Sequence, residues 1–407
     1  MKGFLTLQNV LYLDTARLGR MSPRACRATI DFARLSHEHG STLYSDDFIQ
    51  SGCESLPKTI RERYPGLRDW HGPSRLADRL QSLASAKADW RVLLAARSAN
   101  VMKFAARLQF GQCRKVLITD LTWPSYEAIL CRQQKRSGNG IHKVAVLASL
   151  LQDKCSMDEV FDRLAAQYAE HKCDGLFLPL VDNRGIHLPI RKLVDRIRRN
   201  AEIRFCVVDA AQALHHVPLN LHEDYCDFVV AGCHKWLCAH TPLGLGFYGR
   251  QRSREFIGES LDRWLQDGSM DDPLLSYFRE LTTGESHPFG ETVPVLPMLT
   301  ANGAAIDADE QTHERFQSQN RRSIVELIQE SNWELVLPTS EFQSQILLAR
   351  PRGKAPSRSA NGIRQAFLVR GIALTAYDDG TVRVAIPKHV LSHEVLTHLH
   401  DTFKQIG

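Results

Sequence analysis

Residues 205–240 read FCVVDAAQALHHVPLNLHEDYCDFVVAGCHKWLCAH, and this stretch decides the fold. It holds two short apolar runs, and each run gives way abruptly to polar side chains. The first run ends in Asp209, with Gln212 three residues on, and the second is followed by His234 and Lys235. In an open α/β sheet, ligands bind outside the carboxyl ends of the strands. The stretch therefore predicts two neighbouring strands that bring a carboxylate and a lysine amine into one crevice.

The segments around this stretch continue an alternation of strand and helix. Short apolar runs predict strands over residues 91–95, 115–119, 143–147, 175–180, 205–209, 227–231 and 245–248. Apolar residues at helical spacing lie between them, for example over 101–110, 126–134 and 157–171. Strands that alternate with helices form a mainly parallel sheet with helices on both faces. We therefore predict an α/β fold whose large domain has a mainly parallel seven-stranded sheet.

The pattern changes near residue 251, where a second and smaller unit is expected to follow. One long helix is predicted from Pro297 to about Glu330, and short strands, a turn and helices of α+β type follow it. A short helix is also predicted directly after Asp209, over residues 210–215, whereas residues 36–73 show no regular pattern. The expected division is an N-terminal arm and helix that join the small domain (1–35), a large domain (36–290) and a small C-terminal domain (291–407).

Composition narrows the classes of protein to which the chain can belong. Its 407 residues carry a net charge of only +5, and its basic runs lack interleaved aromatic residues, so we expect no nucleic-acid partner. No apolar run approaches the roughly 18 residues of a membrane span. The N-terminal apolar stretch is short and interrupted by polar residues, unlike a signal peptide, so we expect a cytoplasmic protein. The ten cysteines are scattered and are expected to be reduced. The cluster Cys233, His234, Cys238 and His240 fits no common zinc spacing, so no metal is expected.

The pair of Asp209 and Lys235 indicates one particular chemistry. A lysine whose tip lies in a crevice is partly desolvated, which lowers its pKa and makes the amine a nucleophile for carbonyl groups. Pyridoxal phosphate requires such a lysine, together with a carboxylate that keeps the pyridine nitrogen protonated. Either residue alone has an ordinary explanation, since many aspartates end strands. Together, after adjacent strands, they predict pyridoxal 5'-phosphate as the cofactor.

At these residues the chain resembles the class V aminotransferase family of fold-type I pyridoxal-phosphate enzymes. The resemblance is carried by D-x-x-Q at Asp209–Gln212 and by the string His234-Lys235-Trp236-Leu237-Cys238-Ala239, which is most similar to the isopenicillin N epimerase-like branch. A weaker similarity extends from Tyr12-Leu13-Asp14 to the C-terminal helix. It implies a homodimer with the active site at the interface.

The resemblance implies a role for each residue of the signature. Lys235 would form the Schiff base, Asp209 would pair with the pyridinium, and Gln212 would bind the phenolic oxygen of the cofactor. His234 would lie near the phosphate or the lysine. Many relatives place Ser or Thr three residues before the lysine as a phosphate ligand, whereas this chain has Gly232 there.

Further cofactor contacts are implied at the ends of other strands. The phosphate would lie at the start of the helix after strand 91–95, where Arg97, Ser98 and Ala99 stand in place of the relatives' turn. Trp123 lies where relatives stack an aromatic ring or histidine on the cofactor, although a tryptophan at that position could equally belong to the core. Thr292, in the segment Pro288–Thr292, resembles a residue that reaches the neighbouring subunit's phosphate.

Three residues are implied at the substrate side. Asp182 and Asn183 lie where relatives contact the phenolic oxygen or the substrate, and a one-residue gap leaves the choice between them open. We assign Asp182 to the cofactor and Asn183 to the substrate. Arg383 resembles the arginine of a C-terminal strand that binds the substrate carboxylate, which a planar guanidinium suits.

The expected activity is chemistry at the Cα of an amino acid or amine, with an aminotransferase-like outcome. Elimination, decarboxylation and epimerization are the alternatives, because all begin from the same bond between cofactor and substrate. Cysteine desulfurases use a nucleophilic cysteine in the C-terminal part, and this chain has none after Cys238. A non-catalytic relative is a further alternative, and the intact set of Asp209, Gln212 and Lys235 argues against it.

Overall fold

The computed structural model describes residues 10–40, 45–283, 293–310, 314–353 and 359–406. Its strands are β1 (Leu11–Tyr12), β2 (Arg91–Ala95), β3 (Lys115–Thr119), β4 (Gly140–Val144), β5 (Gly175–Pro179), β6 (Phe205–Asp209), β7 (Phe228–Gly232), β8 (Gly244–Tyr248), β9 (Trp333–Leu335), β10 (Ile346–Pro351), β11 (Ile372–Ala373), β12 (Thr375–Ala376) and β13 (Val382–Ala385). Its helices are α1 (Pro23–His39), α2 (Ser45–Ser51), α3 (Lys58–Arg63), α4 (Gly72–Leu83), α5 (Ser98–Gln112), α6 (Pro124–Ser137), α7 (Leu147–Leu151), α8 (Met157–Glu170), α9 (Ile190–Ile197), α10 (Gln251–Gln266), α11 (Pro273–Thr283), α12 (Val295–Asp309), α13 (Glu314–Gln329), α14 (Ala360–Leu368) and α15 (His393–Ile406).

The large sheet has seven strands in the order β2-β8-β7-β6-β5-β3-β4. Strand β8 pairs antiparallel with both β2 and β7, and every other pairing in this sheet is parallel. Six strands therefore run in one direction, and their carboxyl ends share one edge. This arrangement confirms the predicted α/β fold with a mainly parallel seven-stranded sheet.

The central strands are apolar throughout because both faces of the sheet are covered. Val208 and Val229 pack into one hydrophobic cluster, and Val207 and Val230 pack into the cluster on the opposite face. Successive side chains of a strand point to opposite faces, so a continuous apolar run fits a sheet with helices on both sides. The apolar runs of the sequence thus place these strands in the centre of the molecule.

A second sheet of four strands has the order β12-β13-β10-β9, and all of its pairings are antiparallel. Trp333 and Phe403, from β9 and α15, lie with Phe367 of α14 at the centre of its hydrophobic cluster. Strand β1 of the N-terminal arm pairs in parallel with β11 beside this sheet. The arm therefore starts on the C-terminal part of the chain and runs from there to the large sheet.

Four local predictions were wrong. The strand expected over residues 143–147 lies three residues earlier, as β4, and Leu147 begins α7. The helix expected from Pro297 to Glu330 is two helices, α12 and α13, and α12 ends at the cap residue Glu310. The helix expected over residues 210–215 is a series of turns that ends with His215 at a φ of 59°, outside the helical region. Residues 36–73, expected to be irregular, contain α2, α3 and the start of α4. No helix in the described ranges is long and apolar enough to cross a membrane.

Candidate active site

The carboxyl edge of the large sheet brings together most of the predicted site residues. Asp209 is the last residue of β6, and Lys235 follows β7 by three residues. Ser98 follows β2 by three residues, and Trp123 follows β3 by four. Asn183 follows β5 by four residues. Five strands of common direction thus deliver these side chains to one crevice, as expected for an open α/β sheet.

Lys235 has the properties of a reactive amine. Its side chain is partly buried, and burial lowers its pKa to about 8, while the negative charge of Asp209 acts in the opposite direction and Arg383 adds to the lowering. No hydrogen bond or ion pair of its amine is recorded to any residue that the structure describes. The loop around it is held closely, because a Cβ on Gly19 would lie 2.0 Å from the carbonyl oxygen of Lys235.

Asp209 is a buried carboxylate that retains a free oxygen. Its Oδ1 accepts a hydrogen bond from the backbone N–H of Ala211 at 2.9 Å, and no partner for Oδ2 is recorded among the described residues. Burial raises its pKa to about 6, against the lowering effect of that hydrogen bond and of Lys235. A buried, incompletely bonded carboxylate costs stability, so this position is suited to a cationic partner from outside the chain.

The first turn of α5 presents backbone donors at the same edge. Arg97 is the N-cap residue, and no side chain caps this end of the helix. The N–H of Ala96 donates to the carboxylate of Asp272, at 3.1 and 3.2 Å to its two oxygens. The N–H groups of Ser98 and Ala99 come next in this turn and remain for an anion. The start of a helix favours negative charge.

Gly244 allows this turn to lie against the sheet. A Cβ at position 244 would come within 2.6 Å of the nitrogen of Ser98 and within 2.5 Å of the carbonyl carbon of Arg97. Any larger residue would push the peptide bond between Arg97 and Ser98 away from β8. The sequence analysis did not identify Gly244 or Asp272, because both act on the turn from distant segments.

Tyr126 is a further site residue that the sequence analysis missed. It lies in the first turn of α6, is buried, and hydrogen-bonds the side chain of Ser98. Burial, with the nearby charge of Asp209, raises its pKa well above the usual value, so the hydroxyl remains protonated and able to donate. Its position three residues after Trp123 was the available signal, since residues at that helical spacing share a face.

Trp123 lies at the open side of the crevice. It is the N-cap residue of α6 and is 46% exposed, which excludes the alternative that it belongs to the core. A tryptophan ring that is half exposed beside a ligand crevice can cover the face of an aromatic ligand. Its predicted stacking on the cofactor is compatible with this position and stays a prediction.

Gln212 is engaged with two other segments. Its Nε2 donates to the carbonyl oxygen of Ala16 at 2.7 Å, and its Oε1 accepts from the indole N–H of Trp236 at 2.9 Å. The ring of His216 stacks on Trp236 with centroids 3.7 Å apart. Gln212 thus ties the N-terminal arm to the lysine loop, and one N–H of its amide remains for the predicted contact with the cofactor.

The ring of His234 lies beside Gly232, the position where many relatives carry Ser or Thr. A Cβ at position 232 would contact Nδ1 of His234 at 3.4 Å and its Cε1 at 3.5 Å. Burial and the charge of Lys235 lower the pKa of His234 to about 4, so the ring is neutral near pH 7. A neutral imidazole next to this edge can donate one N–H to an anion.

Asp182 and Asn183 have different environments. Oδ1 of Asp182 accepts hydrogen bonds from the N–H groups of Arg184 at 2.9 Å and Ile186 at 2.7 Å, so this carboxylate closes its own loop. Burial raises the pKa of Asp182 to about 6. Asn183 instead lies beside Tyr377, whose hydroxyl donates to the Asn183 carbonyl oxygen at 3.1 Å. The geometry places Asn183 on the side of Arg383, and the predicted role of Asp182 stays a prediction.

Arg383 points from β13 to the same region. Its Nη1 donates to the carbonyl oxygen of Asn183 at 2.9 Å, and its charge acts on Lys235. The guanidinium is buried, and its Nε has no hydrogen-bond partner among the described residues. Thr292, predicted to reach the neighbouring subunit's phosphate, lies outside the described residues.

These residues fit pyridoxal phosphate in three respects. Among the described residues, the amine of Lys235 and the Oδ2 of Asp209 have no hydrogen-bond partner, so the carboxylate can bind a protonated ring nitrogen. The start of α5, which no described side chain caps, offers N–H groups to a phosphate. In the described ranges, no group of three or more histidine, cysteine or acidic side chains is placed to hold a metal ion.

Comparison with known proteins identifies the family. The profile of the class-V aminotransferases matches residues 95–321, more than half of the chain. The chain therefore belongs to the class-V aminotransferase family, as the resemblance in the sequence predicted.

Curated relatives match over shorter stretches. A probable cysteine desulfurase from Synechocystis sp. is 37% identical over 103 residues, which is 25% of this chain and 22% of that protein. Isopenicillin N epimerase from Amycolatopsis lactamdurans is 35% identical over 92 residues, 23% of this chain and 22% of that protein. The chain thus aligns with about a fifth of the length of either relative.

Solved structures resemble the chain over nearly its whole length. A cystine C–S lyase in complex with its reaction product, cysteine persulfide, has a TM-score of 0.68 and 16% identity, and the match covers 100% of both chains. Alanine–glyoxylate aminotransferase from Nostoc sp. has a TM-score of 0.66 and 15% identity, covering 100% of this chain and 97% of that one. A mutant of the lyase, with a TM-score of 0.66 and 16% identity over 98% of each chain, holds glycine covalently linked to its pyridoxal-phosphate cofactor. These matches confirm the predicted fold-type I architecture.

Proposed function

We propose that the protein is a pyridoxal-phosphate-dependent enzyme that acts at the Cα of an amino acid or amine, with an aminotransferase-like outcome. The observation that carries the proposal is the pair formed by Lys235 and Asp209. Among the described residues, the amine has no hydrogen-bond partner and one oxygen of the carboxylate has none either. From adjacent strands, the charge of Lys235 lowers the pKa of Asp209 and the charge of Asp209 raises the pKa of Lys235. Membership of the class-V family agrees with the predicted cofactor and with the predicted class of enzyme.

The cofactor would be held at both of its ends. Asp209 would bind the pyridine nitrogen, because an ionised carboxylate stabilises the protonated ring. The N–H groups of Ser98 and Ala99 would bind the phosphate at the start of α5, with the Ser98 hydroxyl oriented by Tyr126. Arg97 would add positive charge at this turn.

Four further residues would complete the cofactor site. Trp123 would cover one face of the ring from the open side of the crevice. His234 would donate an N–H to the phosphate in place of the hydroxyl that Gly232 lacks. Gln212 would use its remaining N–H for the phenolic oxygen, and Asp182 would support this region through the loop that it closes.

Bound pyridoxal phosphate supplies an aldehyde that condenses with amines and a ring that withdraws electrons from the bonds at Cα. Lys235 can act as a nucleophile because its lowered pKa leaves a neutral fraction of the amine near pH 7. The same amine is the acid–base group next to the reacting centre. It would take a proton from the Cα of the substrate, hold it, and then return it. The atom that receives this proton decides whether the outcome is transamination or one of the alternatives.

The substrate would be oriented by its carboxylate. Arg383 presents a guanidinium that bonds to Asn183 and lies close enough to Lys235 to lower its pKa. A guanidinium fork binds a carboxylate through two hydrogen bonds, which would fix the Cα relative to the lysine amine. Asn183 would contribute its side-chain amide on the same side.

Lyase or epimerase chemistry is the second candidate function. The similarity to isopenicillin N epimerase over 92 residues favours it. Desulfurization is less compatible with the residues, because Cys238 is the last cysteine of the chain and burial raises its pKa. A thiol needs to be ionised to act as a nucleophile.

We also propose a homodimer in the cytoplasm, with Thr292 reaching the partner's phosphate. The dimer is supported by the resemblance of residues 288–292 to the family's interface segment. The location is supported by ten cysteines that are all unpaired, as is usual in a reducing compartment. Light scattering of the purified protein, with and without cofactor, tests the dimer, and a monomer in both samples would contradict it.

The function is tested by adding pyridoxal phosphate to the purified protein and following the cofactor's absorbance. Reduction with borohydride should fix the cofactor covalently, and peptide mapping should place it on Lys235. Lys388 is a matched internal control, since burial also lowers its pKa to about 8 but its amine donates to the carbonyl oxygen of His215 at 2.5 Å. Cofactor on Lys388, or none taken up, would overturn the proposal.

The outcome of the reaction is tested by incubating the loaded protein with single amino acids. Pyridoxamine phosphate as a product supports transamination. Pyruvate or ammonia released without a keto acid acceptor indicates elimination, and solvent deuterium at Cα of recovered substrate indicates epimerization.

A further inference from the structure

Arg383 has an anionic partner within the chain. Its Nη2 lies 3.3 Å from Oδ1 of Asp14, and the two side chains are only 6% and 11% exposed. The hydroxyl of Thr375 donates to the same oxygen of Asp14 at 2.7 Å. The guanidinium that would bind a substrate carboxylate is therefore already paired with a carboxylate of the protein.

The backbone fixes Asp14 in this position. Strand β1 ends two residues before it, and the N–H of Leu13 donates to the carbonyl oxygen of Ala373 at 2.8 Å. The N–H of Ala385 donates to the carbonyl oxygen of Leu13 at 2.9 Å, which ties the arm to the strand that carries Arg383. Asp14 thus belongs to the same rigid unit as the guanidinium and does not reach it by chance from a mobile loop.

The donors of the guanidinium are partly used. Nη1 is bonded to Asn183, Nη2 lies near Asp14 and Thr375, and Nε is buried without a partner among the described residues. A carboxylate that approached the remaining N–H groups would meet a cation whose charge Asp14 already balances. It would also lie close to the negative charge of Asp14 in a buried setting, where like charges repel strongly.

We propose that Asp14 is a specificity-determining residue that competes, as an internal carboxylate, with the substrate carboxylate for Arg383. Asp14 thereby weakens the binding of substrates that carry a carboxylate on Cα, relative to amines that lack one. The inference rests on the proposed function, because it takes Arg383 as the carboxylate-binding residue. It goes beyond that function in assigning to the N-terminal arm a share in the choice between amino acids and simple amines.

The test uses the cofactor-loaded protein and two compounds, alanine and ethylamine, which differ only by the carboxylate. Apparent dissociation constants are read from the change in cofactor absorbance on titration. In Asp14→Asn, the affinity for alanine should rise about tenfold relative to that for ethylamine, because removal of one partner leaves a buried cation that favours any anion. A ratio between the two compounds cancels differences in the active fraction of each preparation.

Two further variants separate this role from a structural one. Asp31→Asn is the matched control, since the Asp31 side chain is 11% exposed, as is that of Asp14, but accepts from the N–H of Gly66 at 2.7 Å. Its ratio should equal that of the wild type. Thr375→Val removes the hydroxyl bonded to Asp14 and keeps both charges, so its ratio should change less than twofold. This variant also shows whether loss of a neutral hydrogen bond to Asp14 alone moves the ratio.

An unchanged ratio in Asp14→Asn, or a loss of alanine affinity with ethylamine unaffected, would overturn the inference and would show that Asp14 supports Arg383. If Asp14→Asn does not fold, Asp14→Ser is measured in its place with the same expected rise. The proposed function fails separately, when wild-type protein takes up no pyridoxal phosphate or when neither compound changes its absorbance.

Discussion

Asp209 and Asp227 are two buried carboxylates on adjacent strands, and they have opposite surroundings. Asp227 precedes β7 at the amino edge of the sheet and is 0% exposed. Arg252 binds it with both Nε, at 3.0 Å, and Nη2, at 2.7 Å, and the N–H of Cys206 and the hydroxyl of Ser253 donate to it as well. Asp209, at the carboxyl edge, accepts one hydrogen bond from the residues that the structure describes, and its second oxygen has no partner among them.

The difference shows how the two edges of one sheet are used. At the amino edge, the charge of Asp227 is matched by arginine side chains of the same chain, and removal of one partner from such a buried pair is strongly destabilising. At the carboxyl edge, an amine, a carboxylate and the start of a helix are incompletely bonded by the described residues, which costs stability and is typical of a ligand site. Substitutions at the two edges test this contrast.

Lys235→Ala should reduce turnover by roughly 10⁴-fold, since both the nucleophile and the acid–base group are lost. The unfolding free energy should stay close to that of the wild type, because the amine makes no recorded bond. Lys388→Ala is the control and should retain covalent attachment of the cofactor. Turnover of the Lys235 variant within tenfold of the wild type would remove this residue from the chemistry.

Asp227→Asn should lower the unfolding free energy by about 3–5 kcal/mol, because Arg252 and Arg250 lose their buried anionic partner. Denaturant titration followed by circular dichroism measures this change. Cofactor uptake per folded molecule should be unchanged. A variant with wild-type stability and poor cofactor uptake would reverse the assignment of the two edges.

Asp209→Asn should reduce turnover by about 10²- to 10³-fold, because a neutral amide does not keep the ring nitrogen protonated. Without cofactor at pH 8, the unfolding free energy of this variant should exceed that of the wild type by on the order of 1–3 kcal/mol. The sign follows from the pKa of about 6, which lies above the usual 3.8, so that ionisation of Asp209 costs stability as the pH rises through this range. Equal turnover in variant and wild type would contradict the assignment.

The rate of cofactor attachment to cofactor-free protein should rise with pH and level off above about pH 8. Only the neutral amine attacks a carbonyl, and burial lowers the pKa of Lys235 to about 8 from the usual 10.5. Stopped-flow absorbance between pH 6 and 10 measures this profile. A rate that keeps rising to pH 10 would mean that the lysine is not desolvated.

The sequence alone predicted those features whose signal lies within a few neighbouring residues. The apolar runs predicted the strands of the large sheet, and Asp209 and Lys235 were identified because they lie at or shortly after the end of such a run. Ser98 was assigned from the resemblance to the family. The helix over residues 210–215 was wrong because His215 adopts a positive φ that its sequence does not reveal. The break between α12 and α13 was missed because residues 307–315 contain no glycine or proline that would mark the end of a helix.

The contacts that shape the site could not be found in this way. Asp14 meets Arg383 across 369 positions in the chain, and Asp272 meets Ala96 across 176. Nothing in the residues next to Asp14 or Asp272 specifies such partners. Tyr126 was within reach, since it shares a helix turn with Trp123, but its contact with Ser98 depends on how α6 packs against α5.

The path of the N-terminal arm has a consequence for synthesis of the chain. The arm pairs with β11 and β13, lies against the lysine loop through Gly19, and receives a hydrogen bond from Gln212. Its partners in β11 and β13 leave the ribosome more than 350 residues after it does. Because domains generally fold as they emerge, the large sheet can form before β11 and β13 are made, while the arm must wait for both of these strands. The arm is therefore fixed after the sheet that it crosses, and the crevice is completed late in folding.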